Sequence, residues 1–410
     1  MMSGTFHLFK LSWVDFLFTV AGLGLLVLDI VLDVYAVVSF YNEKAYVPLG
    51  FLLLFLVGSS VLVQAFSWLW YSYEDFKRET KVEKCLSLSQ LRLFHVLQLG
   101  IYIRHAGVFE FSVRSFCSKL HTEEGVAVFL SHDLSMLRLV ETFSESCPQL
   151  VLMLTIILQR NQLDFVTVLK AIGSALAIAC SVTMYHRSLR SFLVDKENQQ
   201  VTSSVVYFLW NLLLIAPRLT ALALFASVLP CFILTHFICS WMMLFFFAWR
   251  SKTSFMDSAF GEWLYRATVG LIWYFDWFNV VDGKTRYQTL LYHGYILADI
   301  SLLCGLYCWM KMSPEPPYLD TPLLNAIITA ASVVGVYILG LFLKVIYYKC
   351  CHPNLVQLKG DTPTDEVDFP LRSSSEGHSP VAMTRTFAIA EPDIMHCNKR
   401  MKKLAENFYS

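Results

Sequence analysis

Asp29 and Asp33 sit four residues apart inside an otherwise apolar run, GLGLLVLDIVLDVYAVV. On a helix that spacing places them on one face. Asp15 lies fourteen residues before Asp29, which returns it close to the same face. Farther along, Glu141, Glu145 and Gln149 form an i, i+4, i+8 stripe in a segment that also carries Asp133 and Arg138. Arg187 ends a later apolar stretch, and Arg218 and Asp299 each sit in the middle of one, in IAPRLTAL and YILADISLL. Covalent catalysis finds no support. There is no GxSxG, HExxH or P-loop, and isolated histidines such as His236 and His293 read as packed or interfacial. No CxxC pair exists, so neither zinc nor any other metal or cofactor is expected. What remains is the chemistry of charge in an apolar medium. These groups either pair as staples between helices or line a polar track for ions, solutes or lipid headgroups. Acidic groups outnumber basic ones six to three among Asp15, Asp29, Asp33, Glu141, Glu145 and Asp299 against Arg138, Arg187 and Arg218. That excess is met either by protonation of some of the carboxylates or by a cationic moiety such as choline or an amine.

The elements that position them follow from composition. Of 410 residues, 56% are hydrophobic, 15% aromatic and only 16% charged. This is the profile of a polytopic membrane protein. The net charge of zero gives no reason to expect a nucleic-acid partner. A bilayer-crossing helix needs about 20 apolar residues. Eight stretches qualify: 13–40, 47–72, 133–160, 163–190, 204–228, 231–250, 287–310 and 322–348. Residues 90–111 and 262–281 are apolar but interrupted by charge, and read as re-entrant or partly inserted helices. The expected fold is an all-α polytopic membrane protein with eight transmembrane helices, two partly inserted helices and a cytosolic C-terminal tail. The N-terminus lacks the charged start and cleavage site of a signal peptide, so the first span is expected to act as its own anchor. Most cysteines, including Cys180, Cys231, Cys239, Cys304 and Cys308, lie within apolar runs and read as packing residues.

Loop charge orients the chain. Lys77, Arg78, Lys81, Lys84 and Arg92, then Arg187, Arg190 and Lys196, then Arg250, Lys252, Lys284, Arg286 and Lys349 all fall on one side if the two doubtful segments do not cross. The positive-inside bias makes that side cytosolic. Both termini are then cytosolic. Each half holds four spans and one broken helix, which suggests two repeats, 1–196 and 197–349. A disordered linker follows at 350–397 and a short amphipathic helix at 398–410.

The segments HDLSMLRLVETFSESCPQL (132–150), AFSWLW (65–70), SSVVYFLWNLLLIAPRL (203–219), EWLYR (262–266), WFNV (277–280) and YYKCCHP (347–353) together resemble the XK-related family, and within it the caspase-activated phospholipid scramblases. The resemblance runs over nearly the whole chain. It implies eight spans and two partly inserted helices in two similar halves. It also implies ATP-independent movement of phosphatidylserine and other phospholipids across the plasma membrane. Headgroups would step along Asp15, Asp29, Asp33, Glu141, Glu145, Gln159, Arg187, Arg218 and Asp299. The family often carries an acidic residue three before the span-four arginine. Here Met184 stands there, which leaves Arg187 to find its partner on span one. A single-pass immunoglobulin-type chaperone resembling basigin is implied as an escort. A solute or ion transporter and a membrane scaffold without transport are the alternative functions.

With this resemblance, the tail stretch TPTDEVDFP acquires a meaning. Executioner caspases cut after Asp and favour Asp four positions earlier. Asp365, Glu366, Val367 and Asp368 meet both demands, read as an extended strand by basic pockets. Phe369 after the cut is bulkier than caspases prefer. Residues 353–397 hold five of the thirteen prolines and the run Ser373-Ser374-Ser375, a composition open to proteolysis. Cleavage would release a fragment ending NKRMKKLAENFYS, in which Met401, Leu404 and Phe408 share a helical face. That helix is expected to hold the bundle shut. Its basic residues suit anionic inner-leaflet lipid as a rival or additional target.

Overall fold

The structure, a computed structural model, describes residues 13–72, 80–117, 121–160, 165–192, 199–251, 253, 255–280, 286–312 and 323–351. The caspase motif at 365–368, the serines at 373–375 and the tail residues Met401, Leu404 and Phe408 lie outside these, as does the side chain of Asp15. Every described element is helical. Chain order runs α1 (Trp13–Asn42), α2 (Tyr46–Ser72), α3 (Lys81–Lys84), α4 (Leu88–Val96), α5 (Gly100–Cys117) and α6 (His121–Glu141). A π-helical turn at Thr142–Ser146 leads into α7 (Cys147–Arg160) and α8 (Phe165–Phe192). The second half holds α9 (Val201–Val228), α10 (Pro230–Arg250), α11 (Ala259–Phe275), α12 (Arg286–Met312) and α13 (Leu323–Ile346), then a second π-helical turn at Tyr347–Cys351.

Six helical stretches among the described residues are long and apolar enough to cross a membrane: Thr19–Asn42, Tyr46–Ser72, Val201–Val228, Pro230–Arg250, Arg286–Met312 and Leu324–Cys350. The stretches expected as spans three and four are helical but less apolar. Asp133, Arg138, Glu141 and Glu145 interrupt the first and Lys170, Arg187 and Arg190 the second.

α9 is the axis. Two thirds of its apolar window (67%) is buried, against 12% for α1 and 11% for α10. It packs on α7, α8, α12 and α13. Small residues bring backbones together where no solvent drives helices together. A Cβ on Gly340 of α13 would stand 2.9 Å from the Leu213 carbonyl of α9, and one on Gly270 of α11 would stand 3.0 Å from the Phe245 nitrogen of α10.

The segment 90–111, expected as one partly inserted helix, is two. α4 ends at a Schellman-type stop, with Gln98 at φ 64° and Leu99 N–H donating to Phe94 O at 2.8 Å. Ser60 Oγ donates to Gln98 Oε1 at 2.7 Å and pins the break to α2. Gly100 begins α5 directly under the His95 imidazole, where a Cβ would approach within 2.5 Å. Two capping boxes, Thr80–Glu83 and Ser87–Gln90, start α3 and α4. Their S/T-x-x-E/Q pattern stands in the sequence and marks both starts.

After α11 the backbone runs extended through Asp276, which is buried. Its carboxylate accepts from Trp277 N–H at 2.8 Å, and Trp273 Nε1 donates to Phe278 O at 2.6 Å. Protein groups thus satisfy part of this irregular backbone.

Candidate functional site

α1 touches the bundle chiefly through α2 and α5, and much of its surface is exposed. Between these helices and the α6–α7 junction lies a cavity of about 340 Å³. Asp29 and Asp33 line it from α1, Ser60 and Gln64 from α2, and Glu141 and Glu145 from the α6–α7 junction. Gln98 and Tyr102 close it at the α4–α5 break. Ile30 and Val34, 40% and 59% exposed, stand on its rim, so the cavity opens to the outside along α1. The helix break thus serves the site, because it brings Gln98, Ile101 and Tyr102 to the wall.

Glu145 belongs to the π-helical turn, a form that often marks functional positions. Ser144 Oγ in the same turn donates to Val140 O at 2.7 Å and lies 2.8 Å from Ser59 Oγ. Carboxylate oxygens of Asp29, Asp33 and Glu145 all lie within 4.8 Å of one another. That spacing would also let a hard cation bridge them. Arg138 is engaged by Glu141, Nη1 to Oε2 at 2.7 Å. Among the described residues Asp29, Asp33 and Glu145 form no ion pair. The site therefore concentrates acceptor oxygens, an arrangement whose chemistry suits a cation.

The other residues of the expected track stand elsewhere. Gln159 Nε2 lies 3.5 Å from Ser227 O, between α7 and α9. Arg187 donates from Nη1 to Gln199 O at 3.0 Å and Ser204 Oγ at 2.6 Å, at the start of α9. Met184, the departure from the family pattern, instead presses its Cε toward Gly22 of α1, 3.1 Å from where a Cβ would stand. Arg218 is fully buried and donates from Nη1 to Asp299 Oδ2 at 2.5 Å and from Nε to Tyr274 O at 3.0 Å. His236, isolated in the sequence, bridges Asp299 Oδ1 at 3.1 Å and the Tyr274 hydroxyl at 3.0 Å. This network ties α9, α10, α11 and α12 together. His293 likewise has partners: Lys344 Nζ at 2.8 Å and the Tyr337 hydroxyl at 2.9 Å. Lys344 lies over Trp210, 4.6 Å from the ring centre. Reading along the sequence missed Lys344, because it stands one turn from the end of a long apolar run and looks like a boundary residue.

At one rim Arg160 Nη2 meets Glu43 Oε2 at 2.7 Å and holds that carboxyl below its ordinary range. The pair places the ends of α1 and α7 on the same face.

Apolar helices of membrane length, with ion pairs sealed between them and a carboxylate-lined cavity at their side, define a multi-pass membrane protein. The family model described as XK-related protein matches residues 17–353, and the chain belongs to the XK-related family. It is 42% identical to XK-related protein 8 of Tetraodon nigroviridis over 418 aligned positions, covering 98% of both chains. It is 40% identical to XK-related protein 8 of Gasterosteus aculeatus, again over 98% of both. It is 34% identical to XK-related protein 8 of Pan troglodytes, over 96% of this chain and 94% of the relative.

Proposed function

We propose that the chain is a phospholipid scramblase of the plasma membrane that exposes phosphatidylserine during apoptosis after caspase cleavage at Asp368. The observation that carries the reading is the cavity beside α1. Its polar floor of Asp29, Asp33, Glu141 and Glu145 meets a rim of exposed apolar residues. A headgroup can enter such a cleft while its acyl chains stay in lipid. Gln159, Arg187, Arg218 and Asp299, also implied by the resemblance, stand outside this cavity, so the path of this reading runs along the cavity itself. Neither ATP nor a cofactor is required.

The topology that goes with this reading has eight spans. α6–α7 and α8 are the third and fourth, and their polar residues Asp133, Arg187 and Arg190 are buried in the protein. α4–α5 and α11 are the partly inserted helices, and both termini are cytosolic. The switch is the tail: cleavage at Asp365-Glu366-Val367-Asp368 removes a helix whose Met401, Leu404 and Phe408 hold the bundle closed. A single-pass immunoglobulin-type chaperone of the basigin kind escorts the chain to the surface. The three clustered carboxylates also favour an ion or solute transporter as a second reading, which predicts saturable uptake without lipid movement.

The test is annexin binding to cells that lack their own caspase-driven scramblase. Wild type and Asp368→Ala are expressed, verified at the surface and driven into apoptosis. Exposure by the wild type alone supports both activity and switch. Exposure by both moves the switch elsewhere. Exposure by neither, despite surface expression and cleavage, overturns the scramblase reading.

A further inference from the structure

Gln64 of α2 is only 4% exposed and lines the carboxylate cavity, yet its Oε1 accepts no hydrogen bond. A buried amide oxygen without a donor is costly, and a native site that keeps one is built for something that donates. Asp29, Asp33 and Glu145 add carboxylate oxygens within 4.8 Å of one another, and among the described residues none of the three forms an ion pair. Four acceptor side chains thus line one space, and Arg138, the cation beside them, is already taken up by Glu141, so the carboxylates outnumber the protein charge that faces them. The structure points to the missing group: we propose that this cavity receives the primary ammonium of an aminophospholipid, and that Gln64 makes it prefer that group to choline.

The chemistry follows from the donor count. A primary ammonium carries one positive charge and three N–H donors in tetrahedral array, like the end of a lysine. It can give hydrogen bonds to two of the carboxylates and to Gln64 Oε1 together. A trimethylated ammonium carries the same charge with no N–H, so it balances the carboxylates and leaves Gln64 as unsatisfied as before. Ile30 and Val34 on the exposed rim let acyl chains remain in the bilayer. Serine brings a carboxylate of its own into an acidic site, so ethanolamine is the better ligand of the two. The proposal rests on the scramblase reading of this cavity and adds a headgroup preference to it.

The experiment measures binding, not transport. The purified full-length protein in detergent is titrated with dioctanoyl phosphatidylethanolamine, its N-methyl and N,N-dimethyl derivatives, phosphatidylcholine and phosphatidylserine, and read by intrinsic tryptophan fluorescence. Each methyl removes one N–H at constant charge. The expected result is a stepwise loss of affinity, with phosphatidylcholine about tenfold weaker than phosphatidylethanolamine, the scale of one hydrogen bond from a charged donor. Gln64→Met should bring phosphatidylethanolamine down to the phosphatidylcholine value. Equal affinities across the methyl series in the wild type would overturn the proposal, even if the variant did not fold. Two further arms also decide it. Displacement of phosphatidylethanolamine by micromolar calcium or magnesium would make the cluster a metal site. Equal binding of free ethanolamine would make it a soluble-amine site. Since no lipid crosses a bilayer here, lost selectivity leaves the scramblase reading standing, and intact selectivity without scrambling in cells overturns only that reading.

Discussion

Arg104 on α5 and Arg266 on α11 make the same pair of hydrogen bonds, one in each half of the chain. Arg104 donates from Nε to Ser67 Oγ at 2.7 Å and from Nη2 to Ser67 O at 3.1 Å. Arg266 donates from Nε to Thr253 Oγ1 at 3.0 Å and from Nη2 to Thr253 O at 2.7 Å. Each has a carboxylate beside it, Asp133 at 3.7 Å and Glu262 at 3.4 Å. In both halves a guanidinium on a helix that follows the second membrane-length helix grips a hydroxyl residue near that membrane-length helix's end. Arg104 adds Tyr71, whose ring centre lies 4.1 Å away. His95 completes the first cluster: its Nδ1 faces Leu91 O at 2.8 Å and so carries the proton, leaving Nε2 to accept from Ser67 Oγ at 2.9 Å.

These two arginines should therefore fail alike. Arg104→Ala and Arg266→Ala each remove the charged donor from a hydroxyl and a backbone carbonyl and the cation from beside a carboxylate, at a cost of about 1.5–3 kcal/mol. Lysine in either place should rescue only in part, because it lacks the planar fork. Thermal unfolding of the purified protein measures both, and a neutral Arg104→Ala would show the grip to be ornamental.

Among the described residues, Arg218 and Asp299 form the tightest ion pair of the second half. Arg218→Met leaves Asp299 with His236 alone among its described polar partners and should destabilise by roughly 3–5 kcal/mol. Adding Asp299→Leu removes the stranded charge and should recover much of that loss. A double-mutant cycle that showed simple additivity would mean the pair is not coupled.

The carboxylate cluster stores like-charge repulsion. Glu145→Gln should raise thermal stability at neutral pH by on the order of 1 kcal/mol, the worth of less than one unit of proton affinity. The same change should slow phosphatidylserine exposure about tenfold if headgroups pass this way, an increment of roughly 1.4 kcal/mol in barrier. Greater stability with unchanged exposure would place the lipid path elsewhere.

Gly340 and Gly335 stand on the same helix and separate packing from propensity. A side chain at Gly340 meets the Leu213 backbone, whereas one at Gly335 meets nothing within 4 Å. Gly340→Val should cost about 3 kcal/mol or more by forcing α13 from α9. Gly335→Ala should be neutral or slightly stabilising. Surface expression and unfolding temperature distinguish them.

The tail makes a separate prediction. Changing Met401, Leu404 and Phe408 to serine should expose phosphatidylserine without caspase activity, since a helix this short needs an apolar dock to persist. Silence of that variant at the surface would remove the latch from the mechanism.

Much of this was legible in the residues. Runs of apolar residues long enough for a bilayer announced α1, α2, α9, α10, α12 and α13, because backbone polar groups in lipid must be satisfied within one helix. Charges inside those runs marked Asp29, Asp33, Arg218 and Asp299 as groups that need partners, and the stripe of Glu141 and Glu145 in a less apolar stretch did the same. What spacing along one helix cannot tell is which helix faces which. The expected single track resolves into a cavity beside α1, an Arg187 cluster at the start of α9 and the Arg218–Asp299–His236 network. Those assignments depend on the rotation of each helix about its axis, which is set by contacts between residues tens to hundreds of positions apart. Gln64 and Lys344 show the difference most plainly. In sequence, one is a lone amide in an apolar run and the other a basic residue near a span's end. Their meaning comes from what packing placed near them: a cavity shared with three carboxylates for the first, His293 and Trp210 against the second. Sequence by itself determined that this chain lives in a membrane with charges it must account for. Tertiary structure decided which of those charges are paired and which are left facing a cavity, because burial and partnership are properties of the space between helices.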